Sequence, residues 1–443
     1  MDAYLLIITL LSIVVVILGV SWFKWHAFIS LTVASLFLAI MSGMSWEKIV
    51  TAYETGVGGT LGHLVGILAL GTILGKMLSE SGAGLQIANY FVKIFGEKRL
   101  PWAMFLSGFV IGIPVFFEVG ILILLPLVIS IQKATKQNIL LIGLPAIAGL
   151  SIVHGLVPPH PGAVAAIGIY GADLGRVLLY SLIIAIPAGI IGGPLFAKWI
   201  NNRVIPQGEP ELVKIEESAN KNSIPGAGIS FLAILMPVIL MILGTVAPFM
   251  GFSPTVEKFL TFIGSPLIAL LISCFLAFYF LGFRQGMDRK TIKKFTEECI
   301  LPVGSILLII GAGGAFKQIL IESGVGATIG NLSESLALSP LVLAFFIAGL
   351  IRIATGSATV ALTTAAGIVS PIIANMSDVN LELLVIVTGA GSLMVSHVND
   401  AGFWMVKEYL GLTINETFKT WTVLETILSF VAFAGALILN MFI

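Results

Sequence analysis

Charge is scarce in this sequence: Asp, Glu, Lys and Arg make up 10% of its 443 residues. A soluble domain carries about 25%, so water is excluded as the main solvent of the chain. Neither sign is in excess, since 23 basic residues balance 23 acidic ones, and a nucleic-acid partner has no electrostatic basis. Cysteine is nearly absent. Cys274 and Cys299 have no metal-ligand spacing and form no disulfide framework. No His-Glu-x-x-His, no Gly-x-Ser-x-Gly and no paired aspartates of the kind hydrolysis uses occur, which argues against an intramembrane enzyme. Nothing in the pattern calls for a metal or a cofactor. The first apolar segment lacks the basic n-region and cleavage site of a removable signal and reads as a first span.

What the sequence has in quantity is apolar surface, with 58% hydrophobic residues and a mean hydropathy of +1.07. These residues gather in runs of about 18, the length that crosses a bilayer core, as at 5–20, 27–41, 181–200 and 232–249. Glycine (48) and proline (19) are plentiful inside the runs. Broken helices within a membrane are tolerated mainly where they line a cavity.

The runs repeat. Glu80-Ser81-Gly82-Ala83-Gly84 returns 242 positions later as Glu322-Ser323-Gly324-Val325-Gly326, and His154 returns as His397. The order of elements around them is the same. The first half reads as spans at 3–20, 26–43 and 57–79, an amphipathic stretch at 84–96, and a long segment at 101–132 interrupted at Gly112-Ile113-Pro114. A second long segment, 138–173, is interrupted at Pro158–Gly162, and a plain span closes at 176–198. The second half gives spans near 228–250, 263–283 and 299–321 and a Ser/Gly-rich stretch at 323–338. It continues with 339–373 interrupted at Thr355-Gly356-Ser357, 381–411 interrupted at His397–Asp400, and a span at 421–443.

Reading 101–132 and 339–373 as re-entrant hairpins gives each half five crossings. That number is odd, so the second copy is expected upside down. With that topology seventeen lysines and arginines lie on the cytoplasmic side, against Lys48, Arg176 and Lys258 on the other. Such a bias is the positive-inside signature. The expected fold is an all-α integral membrane protein of two inverted repeats, with interrupted helices at the substrate site. Its parts are a first repeat at 1–200, a cytoplasmic linker at 201–226 and a second repeat at 227–443.

Ionisable groups inside a span cost about 2.5–3.5 kcal/mol on insertion scales, and here they cluster at the interruptions. Pro114 breaks the first hairpin and leaves backbone N–H groups free to hold an anion. Glu118, beside Phe116 and Phe117, is expected to be desolvated. Desolvation penalises an ionised carboxyl and suits it to carry a proton. His160 sits among Pro158, Pro159, Pro161 and Gly162 on unwound backbone, where imidazole can bind substrate or relay a proton. His154 lies further back on the same segment, as a proton relay or a packing residue. In the second hairpin Arg352 offers a planar fork for a carboxylate. Thr355, Gly356, Ser357 and Thr359 supply hydroxyls and close backbone approach for a polyhydroxylated ligand, or else a small-residue packing surface. Asn399 offers both donor and acceptor, and Asp400 with His397, three residues apart, is placed to share a proton. An acidic polar solute coupled to protons is the expected cargo.

These residues resemble the gluconate permease family. The matching motifs are Gly112-Ile113-Pro114-Val115-Phe116-Phe117-Glu118, Pro158-Pro159-His160-Pro161-Gly162, Arg352-Ile353-Ala354-Thr355-Gly356-Ser357-Ala358-Thr359 and Ser396-His397-Val398-Asn399-Asp400-Ala401-Gly402-Phe403-Trp404. They occur in the expected order and cover essentially the whole chain. One departure stands out: Ala163 follows Pro-Pro-His-Pro-Gly, where the family often carries proline. The resemblance implies proton symport of a sugar acid into a bacterium across its cytoplasmic membrane, by a lipid-embedded homodimer with an elevator-like motion. Family members carry gluconate, idonate, fructuronate or D-serine. The alternative is a sodium-coupled carboxylate or amino-acid carrier, with Thr355, Ser357 and Asn399 near the ion.

Overall fold

The computed structural model describes residues 2–208, 224–324, 339–374, 376 and 379–443. Among them the chain is helical throughout, with no strand. Helices α1 (Asp2–Ser21), α2 (Ala27–Met41), α3 (Trp46–Glu80) and α4 (Ala83–Phe95) come first. A broken pair follows, α5 (Leu100–Gly112) and α6 (Phe117–Thr135), then a second, α7 (Ile139–Leu156) and α8 (Pro161–Tyr170). Helix α9 (Leu174–Ile200) runs through a π turn at Ile191–Leu195. The remainder comprises α10 (Ala227–Val246), α11 (Pro254–Ile263), α12 (Pro266–Gln285) and α13 (Arg289–Glu322). Then come α14 (Pro340–Thr355), α15 (Ala358–Ile373), α16 (Leu381–Ser392), α17 (Ala401–Tyr409) and α18 (Ile414–Leu439).

Seven of the described helices are long and apolar enough to cross a membrane, or eight if the two arms of α3, bent by 42°, count as one span. Large apolar side chains such as Leu10, Ile183, Phe249 and Phe275 stand exposed on the outside. A surface of that kind suits hydrocarbon rather than water. The span expected at 57–79 is the second part of a longer helix, because α3 already begins at Trp46. The span expected at 299–321 is likewise the end of α13. The linker expected at 201–226 and the stretch at 323–338 lie largely outside the described residues.

Helices α3 and α13 lie side by side. A Cβ on Gly56 would come within 2.5 Å of the Gly314 carbonyl oxygen, so the contact needs small residues on both helices. The pair α5 and α7 meets as closely: a Cβ at Gly108 would lie 2.0 Å from the carbonyl oxygen of Ala146. Helices α3 and α13 both end on the repeated Glu-Ser-Gly, with Gly82 at φ +73° and Gly324 at φ +78°. Only glycine takes up that left-handed turn without strain.

Candidate functional site

Local chemistry explains each break. Helix α5 ends as the chain reaches Pro114, and α6 restarts at Phe117 with no side-chain cap from Phe116. Pro158 and Pro159 stop α7, and Pro161 opens α8 at its first position, where a missing N–H is tolerated. Gly356, at φ +73°, ends α14. Ser357 then caps α15, its Oγ accepting from the Val360 N–H at 3.3 Å. Asp400 caps α17, Oδ1 accepting from the Gly402 N–H at 3.0 Å.

All four restarts line one cavity of about 710 Å³, α8 through Pro161 alone. Its wall includes the first turns of α6 (Phe117, Glu118), α15 (Ala358, Thr359) and α17 (Ala401, Gly402). Helix N-termini carry partial positive charge and unpaired N–H groups. Pro114 also lines the cavity, pressed against α3 at Gly75, where a Cβ would lie 2.4 Å from the Pro114 carbonyl oxygen.

Arg352 anchors the second half of the site. Its side chain is 4% exposed and lines the cavity. Nη2 donates to Asp400 Oδ2 at 2.5 Å, and Nη1 donates to the Gly356 carbonyl. Asp400 Oδ2 also accepts from the Ser396 hydroxyl, which in turn accepts from Trp421 Nε1 at 2.7 Å. The Arg352 Nε is buried without a partner among the described residues. Thr355 donates to the Ile351 carbonyl and Asn399 to that of Ile353, both at 2.8 Å. The cavity also reaches the side of Thr359.

The histidines separate. His154 lines the cavity, its ring centroid 5.0 Å from that of His160 and 6.2 Å from that of Phe117. His160 is 3% exposed and sits behind the cavity wall, its Nε2 against the Gly112 carbonyl oxygen at 2.5 Å. Gly162 is also set back, packed toward Leu362 of α15. His397 does not line the cavity; its Nε2 meets the Ile353 carbonyl at 2.9 Å. It therefore shares no side-chain hydrogen bond with Asp400, whose oxygens are taken by Arg352, Ser396 and Gly402. Phe117 and Glu118 face different ways. Phe117 turns inward and is 6% exposed, whereas Glu118 stands open to the cavity.

Several polar side chains of this site escape sequence reasoning. Lys76 on α3 bridges Glu80 at 2.7 Å and Glu298 of α13 at 3.4 Å, and Lys76 and Glu298 line the cavity. Glu425 on α18 is 1% exposed and accepts from Ser151 of α7 at 2.5 Å; both line the cavity. The signal for Glu425 was its position, a lone carboxyl in the last apolar span. It lies outside every motif at the breaks, so attention to motifs passed it by.

The profile of the GntP family of permeases matches residues 4–442. A gluconate permease of Pseudomonas aeruginosa is 47% identical, over 99% of this chain and 98% of its own length. A gluconate permease of Bacillus subtilis is 43% identical, over 98% and 99%. The crystal structure of the Alcanivorax borkumensis YdaH transporter, described as having an unusual topology, superposes with a TM-score of 0.65. It covers 94% of this chain and 97% of that one at 14% identity, a likeness of fold alone.

Proposed function

The chain belongs to the GntP family of permeases, and from that membership we propose that it imports gluconate or a close sugar acid by proton symport. It is a transporter rather than an enzyme, and a multi-pass protein of the bacterial cytoplasmic membrane. One observation carries the choice of cargo: the uncapped N-terminus of α6 and Arg352 line a single cavity. That arrangement favours an anion, and the two relatives, both gluconate permeases, point to a sugar acid. The carboxylate lies against the first turn of α6 and Arg352. The polyol chain runs along Thr355, Gly356, Ser357, Thr359 and Asn399, with His160 and Gly162 shaping the wall from behind. Glu118 takes the proton from the cavity, with His154, His160, His397 and Asp400 as further members of the relay.

The architecture we infer is two inverted repeats, 1–200 and 227–443, joined by 201–226. What supports it is the matching order: α3 with α13, the pair α5–α6 with α14–α15, the pair α7–α8 with α16–α17, and α9 with α18. In this reading α5–α6 and α14–α15 are re-entrant hairpins that move with the substrate in an elevator-like step. The lipid-embedded unit is a homodimer.

Purified protein in liposomes tests the function. An inside-alkaline pH gradient without sodium is expected to drive accumulation of labelled gluconate. Glu118→Gln is expected to abolish that accumulation while leaving gluconate exchange measurable. Uptake that demands sodium would sink the proton reading, and a panel containing D-serine and other sugar acids identifies a different cargo.

A further inference from the structure

We propose that Glu425, held by Ser151 at the back of the cavity, is a second proton-carrying carboxyl of the transport cycle, distinct from Glu118. The inference rests on the proton-symport reading above and adds a residue to it. Glu425 belongs to the last span and is almost wholly buried, yet it forms part of the cavity wall. Its hydrogen-bond partner among the described residues is a neutral hydroxyl, that of Ser151 at 2.5 Å. No cation lies within ion-pair distance of it among the described residues.

A buried carboxylate without a paired cation is costly, and removing the charge by binding a proton is the usual relief. The charged groups that face Glu425 are Arg352 and Asp400. Arg352 is engaged with Asp400 and the Gly356 carbonyl and makes no ion pair with Glu425 among the described residues. Helix α18 packs on α7, α9, α16 and α17. Of these, α7 brings His154, which lines the cavity one turn beyond Ser151. Arg176, Tyr180 and Lys198 of α9, Glu382 of α16, Lys407, Glu408 and Tyr409 of α17, and Glu416 and Lys419 of α18 itself do not line it.

The consequence is a sign. With Glu425 ionised, the cavity holds two carboxyls without a cation, Glu118 and Glu425, and a substrate anion entering it is repelled. With Glu425 protonated that repulsion is gone and the O–H becomes a donor toward the cavity. Proton and anion therefore favour each other's binding, which is the thermodynamic requirement for symport. Because Ser151 donates to Glu425 from α7, release of the proton also tightens the tie between the last span and a broken helix that borders the site.

Glu425→Gln keeps an acceptor for Ser151 and removes the proton site. In liposomes, gradient-driven gluconate accumulation is expected to fall about tenfold or more, while counterflow at equal pH stays within about threefold of wild type. Accumulation within threefold of wild type would overturn the assignment. So would equal loss of counterflow in a variant that purifies and melts like wild type, which marks a merely structural residue. Ser151→Ala, which spares the carboxyl, is expected to displace the pH profile of uptake, and a superimposable profile counts against the role. A wild-type protein indifferent to the pH gradient defeats the symport reading itself; a responsive wild type with Glu425→Gln still coupled removes Glu425 alone.

Discussion

The two halves of the site close their broken helices by different means. In the first half the breaks at 113–116 and 157–160 are joined by a histidine–carbonyl contact, His160 to Gly112, with aromatic packing around it. In the second half the breaks at 356–357 and 393–400 are joined by a buried ion pair, Arg352 with Asp400, tied on to Ser396 and Trp421. Caps differ in the same sense. Ser357 and Asp400 cap the restarts of α15 and α17, whereas neither Phe116 nor His160 caps α6 or α8 through its side chain. A repeated architecture therefore carries unequal chemistry. The uncapped α6 keeps its N–H groups available beside the cavity, while the second half has already satisfied much of its own polarity.

The comparison can be broken by removing each clasp in turn. Arg352→Met should have the largest effect, because it leaves the half-buried Asp400 without a cation, at a cost of about 3 kcal/mol. Denaturation of the purified protein in detergent measures it. A loss below about 1 kcal/mol would place the pair among weak exposed ion pairs. His160→Phe should cost less, about 1–3 kcal/mol, since it strands one buried carbonyl rather than a charge. Were it to exceed Arg352→Met, the first half would be the stronger clasp and the comparison would invert. Trp421→Phe should be smallest, about 1 kcal/mol, for it removes one neutral donor from Ser396. The same melts and the apparent affinity for gluconate report all three.

Much of this site was legible in the chain because helix breaking is a local event. Pro114, the prolines around His160, and Gly356 act through their own dihedrals and missing donors, so the positions of the breaks follow from adjacent residues. Partners across the fold are another matter. Asp400 and His397 are close in sequence, which made a shared proton attractive. Asp400 in fact reaches Arg352, 48 positions away, while His397 turns to the Ile353 carbonyl. Which acceptor a side chain meets depends on how α14 packs against α16 and α17, and no short spacing encodes that.

By itself the sequence determined that this chain lives in a membrane, where its helices stop and restart, and which family it resembles. Each of these follows from composition or from the torsional limits of neighbouring residues. Only the tertiary structure decided that Glu118 opens to the cavity, that His160 stands behind its wall, and that Glu425 of the last span joins it. The reason is physical: burial and ion pairing are properties of space shared by distant segments, and they exist only once α6, α7, α14 and α18 have come together.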